Sequence, residues 1–133
     1  MDTDELIENF SFLEDWEQRY SYLIELGKEL PPMDEADKNA DTKVEGCMSQ
    51  VWLKTSVDGG VLTFIADSDA HIVRGLIAVL GVILSGKTPS VILETDVDAI
   101  FKKLGLDSHL SPTRRNGFFS MVGRIKADAA KAV

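Results

Sequence analysis

One side chain in this sequence is suited to nucleophilic sulfur chemistry: Cys47, the only cysteine among 133 residues. It stands in Val44-Glu45-Gly46-Cys47-Met48-Ser49-Gln50-Val51-Trp52. A thiolate is a strong nucleophile and can carry sulfur. Gly46 lets the backbone turn tightly just before it and lets other groups approach closely. From Gln50 onward the sequence alternates as a strand does, so Cys47 falls at a loop-to-strand junction, a natural place for a reactive thiol. The competing reading is packing, because free cysteine often acts as a small buried hydrophobe. The local sequence leaves both open.

Other chemistries find few residues. His71 and His109 show no metal-ligand spacing with each other or with Cys47. An iron–sulfur cluster normally needs several thiolates. A cysteine hydrolase would need His71 or His109 beside Cys47 and an oxyanion hole, and neither is visible. No phosphate loop or dinucleotide fingerprint occurs. The expectation is a protein with no metal and no organic cofactor, whose chemistry is that of one thiol.

Composition narrows the class. A hydrophobic fraction of 44% and a charged fraction of 27% are ordinary for a globular protein, and the length fits a single domain over 1–133. One cysteine gives no internal disulfide, and Met1-Asp2-Thr3-Asp4-Glu5 is no secretory signal, so a cytoplasmic protein is expected. The longest apolar stretch, from Gly75 to Gly86, is too short to span a bilayer. A net charge of −8 argues against nucleic acid. Residues 1–45 hold 14 acidic and 4 basic side chains, whereas residues 111–133 hold Arg114, Arg115, Arg124, Lys126 and Lys131 against Asp128 alone. That asymmetry suits solvated helix faces, and it would also steer a protein partner.

The elements that must position the thiol follow from periodicity. Thr3 is expected to cap a first short helix with Leu6, Ile7, Phe10 and Leu13 inside. A second helix runs from about Asp15 to Glu29, with Trp16, Tyr20, Leu23, Ile24 and Gly27 as its inner face and Leu30-Pro31-Pro32 as its stop. Residues 33–43 read as a loop, followed by a short extended piece near Lys43–Glu45. Gln50 to Val57 and Val61 to Ala66 form an antiparallel hairpin around Asp58-Gly59-Gly60. Ser68 or Asp69 caps a central helix that is apolar almost all round, with Gly75 and Gly81 set for close packing against the sheet. Thr88-Pro89 opens a short helix to Glu94, and Val97 to Leu104 forms another, closed by Gly105. Ser111-Pro112 opens the last helix, which buries Phe118, Met121, Val122 and Ile125. Arg114 and Arg115 fall in its first turn, where the macrodipole disfavours cations. A salt bridge to an N-terminal carboxylate, or a contact to an anion or a partner, would explain them. The fold class is α+β: two N-terminal helices, a small antiparallel sheet, then C-terminal helices.

Three motifs carry a family resemblance. Glu45-Gly46-Cys47-Met48-Ser49-Gln50-Val51-Trp52 resembles the cysteine motif of SufE proteins. Asp67-Ser68-Asp69-Ala70-His71-Ile72-Val73-Arg74-Gly75-Leu76 resembles the SufE segment that opens the central helix, with Arg74 where the family often has lysine. Leu110-Ser111-Pro112-Thr113-Arg114-Arg115-Asn116-Gly117 is similar to the family's arginine–glycine motif. The resemblance runs from about Trp16 to Ile125, and the N-terminal helices match in character only.

The resemblance implies a SufE/IscU-like fold. It also implies a sulfur acceptor for a pyridoxal-phosphate cysteine desulfurase of SufS type, delivering to an iron–sulfur scaffold of SufBCD type, with no independent turnover. Cys47 would accept the sulfur. Gly46 and Ser49 would give its loop mobility, and Asp69 and Arg114 would stand beside that loop, with Arg115 a less certain neighbour. A CsdE-type acceptor would use the same chemistry with another desulfurase. An interaction module that activates a desulfurase with Cys47 passive, and a free-standing hydrolase, are the readings from other classes.

Overall fold

Asp2, rather than Thr3, opens the first helix: its carboxylate accepts the Glu5 N–H at 2.8 Å. The computed structural model describes residues 1–133. Helix α1 spans Thr3–Ser11 and buries Leu6 and Phe10, while Ile7 and Leu13 are partly covered. Asp15 caps α2, Trp16–Lys28, by accepting from the Gln18 N–H at 2.9 Å. The expected inner face of α2 is only partly inside. Leu23 and Gly27 are buried, but Tyr20 is exposed and Trp16 stacks on His109 with ring centres 5.3 Å apart.

The polar stretch after Pro32 contains a 3₁₀ turn at Glu35–Asp37 and is fastened to the sheet by charge. Lys38 Nζ lies 3.0 Å from Asp67 and 5.4 Å from the centre of the Trp52 ring, and Arg74 approaches the same carboxylate at 3.3 Å. Burial would push Asp67 up. The Lys38 hydrogen bond, the Ser68 N–H and the Arg74 charge outweigh it and hold the carboxyl below its ordinary value. Stability from this clip is therefore present above the ordinary carboxylate range and is lost as pH falls through it.

Strands β1, Val51–Asp58, and β2, Val61–Ser68, pair antiparallel with Asp58 opposite Val61. Gly59 and Gly60 both have positive φ, 61° and 83°, as a two-residue type I′ turn requires. The second strand continues two residues beyond the expected Ala66. Ser68 therefore ends a strand instead of capping a helix, with its Oγ accepting the Ala70 N–H at 3.2 Å. Ala70 takes the cap position of α3, His71–Leu84, without a side-chain bond. Asp69 turns away from the helix and toward the loop that carries the thiol.

Nine of the 14 residues of α3 are buried, so it runs through the core as the apolar pattern predicts. Its chief neighbour, however, is α2 rather than the sheet. Gly75 is the reason: a Cβ there would overlap the Leu23 carbonyl, and one at Gly27 would lie 2.8 Å from Gly75 N. The two glycines let the α2 and α3 backbones touch. Gly81 serves no close packing, since a Cβ there would meet nothing within 4 Å.

Helices α4, Pro89–Glu94, and α5, Val97–Lys103, follow, with Thr88 capping α4 and Gly105 at φ 71° just past α5. The last helix, α6, spans Pro112–Lys131 under a Ser111 cap and buries Phe118, Met121, Val122 and Ile125, as its spacing requires. One core of 27 buried residues joins side chains from α1 through α6. The protein is thus α+β, with six helices around a two-stranded sheet. No helix is long and apolar enough to cross a membrane.

Candidate functional site

The loop that carries Cys47 is closed at its base by backbone bonds. Val44 N–H donates to Val51 O, and Leu53 N–H to Thr42 O, both at 2.8 Å. The extended piece before the loop thereby lies along β1, with Lys43 opposite Trp52. Arg124 of α6 holds that piece from below, donating to the carbonyls of Asp41 and Lys43. Residues 45–50 are left as a short loop, and what they touch determines what the thiol can do.

Three contacts fix the loop onto the first half of α6 and the start of α3. Gly46 has φ 86°, open to glycine at little cost, and a Cβ there would lie 2.6 Å from Ser120 Oγ. Arg114 Nη1 donates to Ser49 Oγ at 2.8 Å. Asp69 Oδ1 accepts the Gln50 N–H at 3.1 Å, while Asp69 N–H reaches back to Gln50 O at 3.4 Å. The structure thus brings Cys47, Gly46, Ser49, Asp69 and Arg114 to one place. Arg115 is not among them; its guanidinium turns toward the Asp107 carbonyl at 3.5 Å. Neither arginine makes the salt bridge to an N-terminal carboxylate that its placement in the first turn suggested. The Ser49 bond is what occupies Arg114.

Cys47 itself is half-buried, and its Sγ–H donates to the Gly117 carbonyl at 3.6 Å. A cavity of about 10 Å³ opens beside the sulfur, with room for about one water-sized atom. Its floor is apolar, built from Val51, Val73, Leu76, Phe118 and Met121, and Arg114 stands at its wall. Gly117 and the apolar floor escaped the sequence-based site. Their signal was present in the arginine–glycine motif and in the i, i+3, i+4, i+7 positions 114, 117, 118 and 121, which share one helix face. Met48 was missed as well. It is 84% exposed at the tip of the loop, next to the thiol.

Burial pushes the Cys47 thiol up from its ordinary 9.0. The neutral thiol is therefore the resting form near pH 7, and a thiolate requires the loop to open or a partner to accept the proton. Alkylation by iodoacetamide checks this. The folded protein is expected to react more slowly than the urea-unfolded chain at every pH below 9, and its rate should still be rising above 9.0. A folded-state rate that levels off below pH 8 would contradict it. The same shift means that stability from the buried thiol is full below 9.0 and is lost as pH rises beyond it.

The cavity lining contains no histidine, aspartate or glutamate. His109 is held against Trp16, and His71 is exposed at the start of α3. A Cys–His hydrolase would need a base within reach of the sulfur, and none lines this site. What remains is a free thiol, sheltered but loop-borne, with a cation nearby and space for one more atom.

Fold and site together define a single-thiol α+β protein with its cysteine on a clamped loop over a small apolar cavity. The chain belongs to the SufE family: the family model described as Fe-S metabolism associated domain matches residues 4–129, so the N-terminal helices are included. An uncharacterized SufE-like protein of Rhizobium meliloti is 52% identical over 130 residues, covering 95% of this chain and 93% of the relative. A second, from Rhizobium etli, is 49% identical over 130 residues, covering 95% and 88%. The solution structure of a hypothetical protein from Thermus thermophilus shares the fold with a TM-score of 0.80, covering 98% of this chain and 94% of that one at 23% identity.

Proposed function

We propose that this protein is a sulfur acceptor and activator for a pyridoxal-phosphate cysteine desulfurase of SufS type, and that it passes the sulfur to an iron–sulfur scaffold of SufBCD type in the cytoplasm. The observation that carries the reading is Cys47 at the mouth of an atom-sized apolar cavity, on a loop held mainly by polar contacts. A persulfide adds one sulfur atom to a thiol. An apolar niche of that size would keep the added atom from water and oxidants, which otherwise consume it.

The transfer is a thiol–disulfide exchange in its logic. Cys47 first loses its proton, and its thiolate attacks the outer sulfur of the desulfurase persulfide. The new sulfur–sulfur bond forms as the desulfurase's own breaks, and the departing desulfurase thiolate takes up a proton. In-line attack needs the thiol outside its niche, so the loop must swing. The ties to be released are the Arg114–Ser49 and Asp69–Gln50 bonds and the weak thiol bond to Gly117. Met48, exposed beside the sulfur, is the apolar side chain best placed to enter the partner with it.

The decisive experiment mixes the protein with a cysteine desulfurase and L-cysteine and weighs the intact chain. A gain of one sulfur atom, mapped to Cys47, is the expected result. Faster sulfide release with Cys47 unmodified would hand the function to an activating module. No effect on the desulfurase and no added sulfur would end the proposal.

Arg114→Ala tests the loop's anchor. Once the loop swings, the guanidinium released from Ser49 is free to pair with the desulfurase, so the variant is expected to lose about tenfold or more of the desulfurase stimulation. Arg114 is only partly buried and holds a loop rather than the core, so the melting temperature should stay close to the parent's. A collapsed fold would make Arg114 structural and remove it from the site.

A further inference from the structure

Helix α6 meets the thiol loop and its stem along one face. Arg114 holds Ser49, the Gly117 carbonyl takes the thiol, Ser120 packs against Gly46, and Arg124 reaches the carbonyls of Asp41 and Lys43. Positions 114, 117, 120 and 124 are three or four apart, so they form one stripe. The stripe follows the chain from Ser49 back to the stem.

The stem is a short third strand with one open side. Thr42 O and Val44 N–H bond to β1, so the carbonyls of Asp41 and Lys43 face away from the sheet. Neither carbonyl has a backbone donor, and the Arg124 fork supplies both. Arg124 is itself held: its Nε lies 3.6 Å from Asp128, and the same carboxylate oxygen accepts the Thr55 hydroxyl at 2.9 Å. One run of polar contacts thus joins the stem, α6 and β1. None of these groups lines the cavity beside the sulfur.

We propose that Arg124 is a positioning residue for Cys47. It fixes the stem to α6, so that opening is confined to residues 45–50 and the thiol returns to the same niche. The contacts of Arg114 and Gly117 must break for the sulfur to meet a partner, but the contact of Arg124 need not. Without the fork, the stem keeps only its two backbone bonds to β1, and the hinge retreats toward the turn that the Asn39 side chain closes. The closed loop is then less populated and the thiol more often exposed. This confinement is a property of the loop alone. Its consequence for a bound sulfur, a longer-lived persulfide, rests on the sulfur-acceptor reading.

The test is alkylation of Cys47 by iodoacetamide near neutral pH in the folded full-length chain, with urea raised in steps below the unfolding transition. Arg124 is partly exposed, so its charge-assisted bonds are partly screened, and Arg124→Ala is expected to react about fivefold faster than the parent. The excess rate should not change with urea, because opening a short loop exposes little surface. Reaction through global unfolding would climb steeply. Arg124→Lys, which keeps a charged donor near the same carbonyls, should restore most of the protection. On chains loaded by a desulfurase, cyanide should strip the outer sulfur from Arg124→Ala severalfold faster than from the parent. Alkylation of Arg124→Ala at the parent rate, an excess that climbs with urea, or no rescue by lysine would overturn the proposal. A parent that takes up no sulfur would sink the acceptor reading alone, with alkylation still deciding for or against Arg124.

Discussion

Cys47→Ser is expected to fold as the parent does, to bind the desulfurase, and to accept no sulfur at all. Serine is nearly isosteric, and its hydroxyl can donate to the same Gly117 carbonyl, so the loop keeps its contacts. Half-burial at a loop also limits what the change does to the core. The chemistry does not survive the change. A hydroxyl is scarcely ionised near neutral pH and forms no persulfide, whereas the thiol, even pushed up by burial, becomes a thiolate once the loop opens. The measurement is desulfurase turnover with L-cysteine, read alongside the intact mass of the acceptor. Stimulation should drop to the level of the desulfurase alone, and the added sulfur should vanish. A serine variant that stimulates as well as the parent would make Cys47 a bystander. The exposed Met48 and the neighbouring Arg114 would then mark a contact surface that acts without carrying sulfur.

Gly75→Val is expected to be the most damaging single change to the fold. A side chain there meets the Leu23 carbonyl of α2, and backbone cannot turn aside as a flexible side chain can. Gly27 answers from the other helix, so neither backbone has a free direction of retreat. Over-packing in a well-filled core typically costs about 1–3 kcal/mol, and a clash with main chain lies at or above the upper end. For a domain of this size that corresponds to a fall in melting temperature of about 10 °C or more. Calorimetry or thermal circular dichroism measures it. Gly81→Ala, six residues on in the same helix, provides the control with the opposite sign. A Cβ there meets nothing within 4 Å, so replacing glycine inside a helix should stabilise by about 0.5–1 kcal/mol. If both variants shift stability in the same direction, the interlocking of α2 with α3 is not what Gly75 provides.

Gly75 and Gly81 also show how far the sequence could be read. Both were expected to pack against the sheet, because an apolar helix after a hairpin suggests that layer. The pattern of α3 says that it is buried, but it does not say by what. Leu23 and Gly27 in α2 supply the contact to Gly75, about 50 residues earlier in the chain. The polar stretch after Pro32 is a parallel case. Its lack of period is real, yet Lys38 ties it to Asp67 and Trp52, and nothing local announces that.

By itself the sequence determined what depends on neighbours a few residues apart. The Asp58-Gly59-Gly60 turn, the Thr88-Pro89 and Ser111-Pro112 helix starts, the buried stripe of α6 and the loop position of Cys47 were all legible, because turn dihedrals, caps and periodicity are local physics. The motifs around Cys47, Asp69 and Arg114 placed the chain in its family without any coordinates. Tertiary structure decided what those residues touch. Asp69 looked like a helix cap because a carboxylate at a helix start usually is one, yet the extension of β2 through Ser68 carries it past that position and aims it at Gln50. Arg114 looked misplaced beside a helix dipole until the loop folded over it and Ser49 came within 2.8 Å. The cavity beside the sulfur joins three separate stretches of chain, the loop, α3 and α6. Such sites are set by packing between segments far apart in the chain, and packing is where local periodicity stops carrying information.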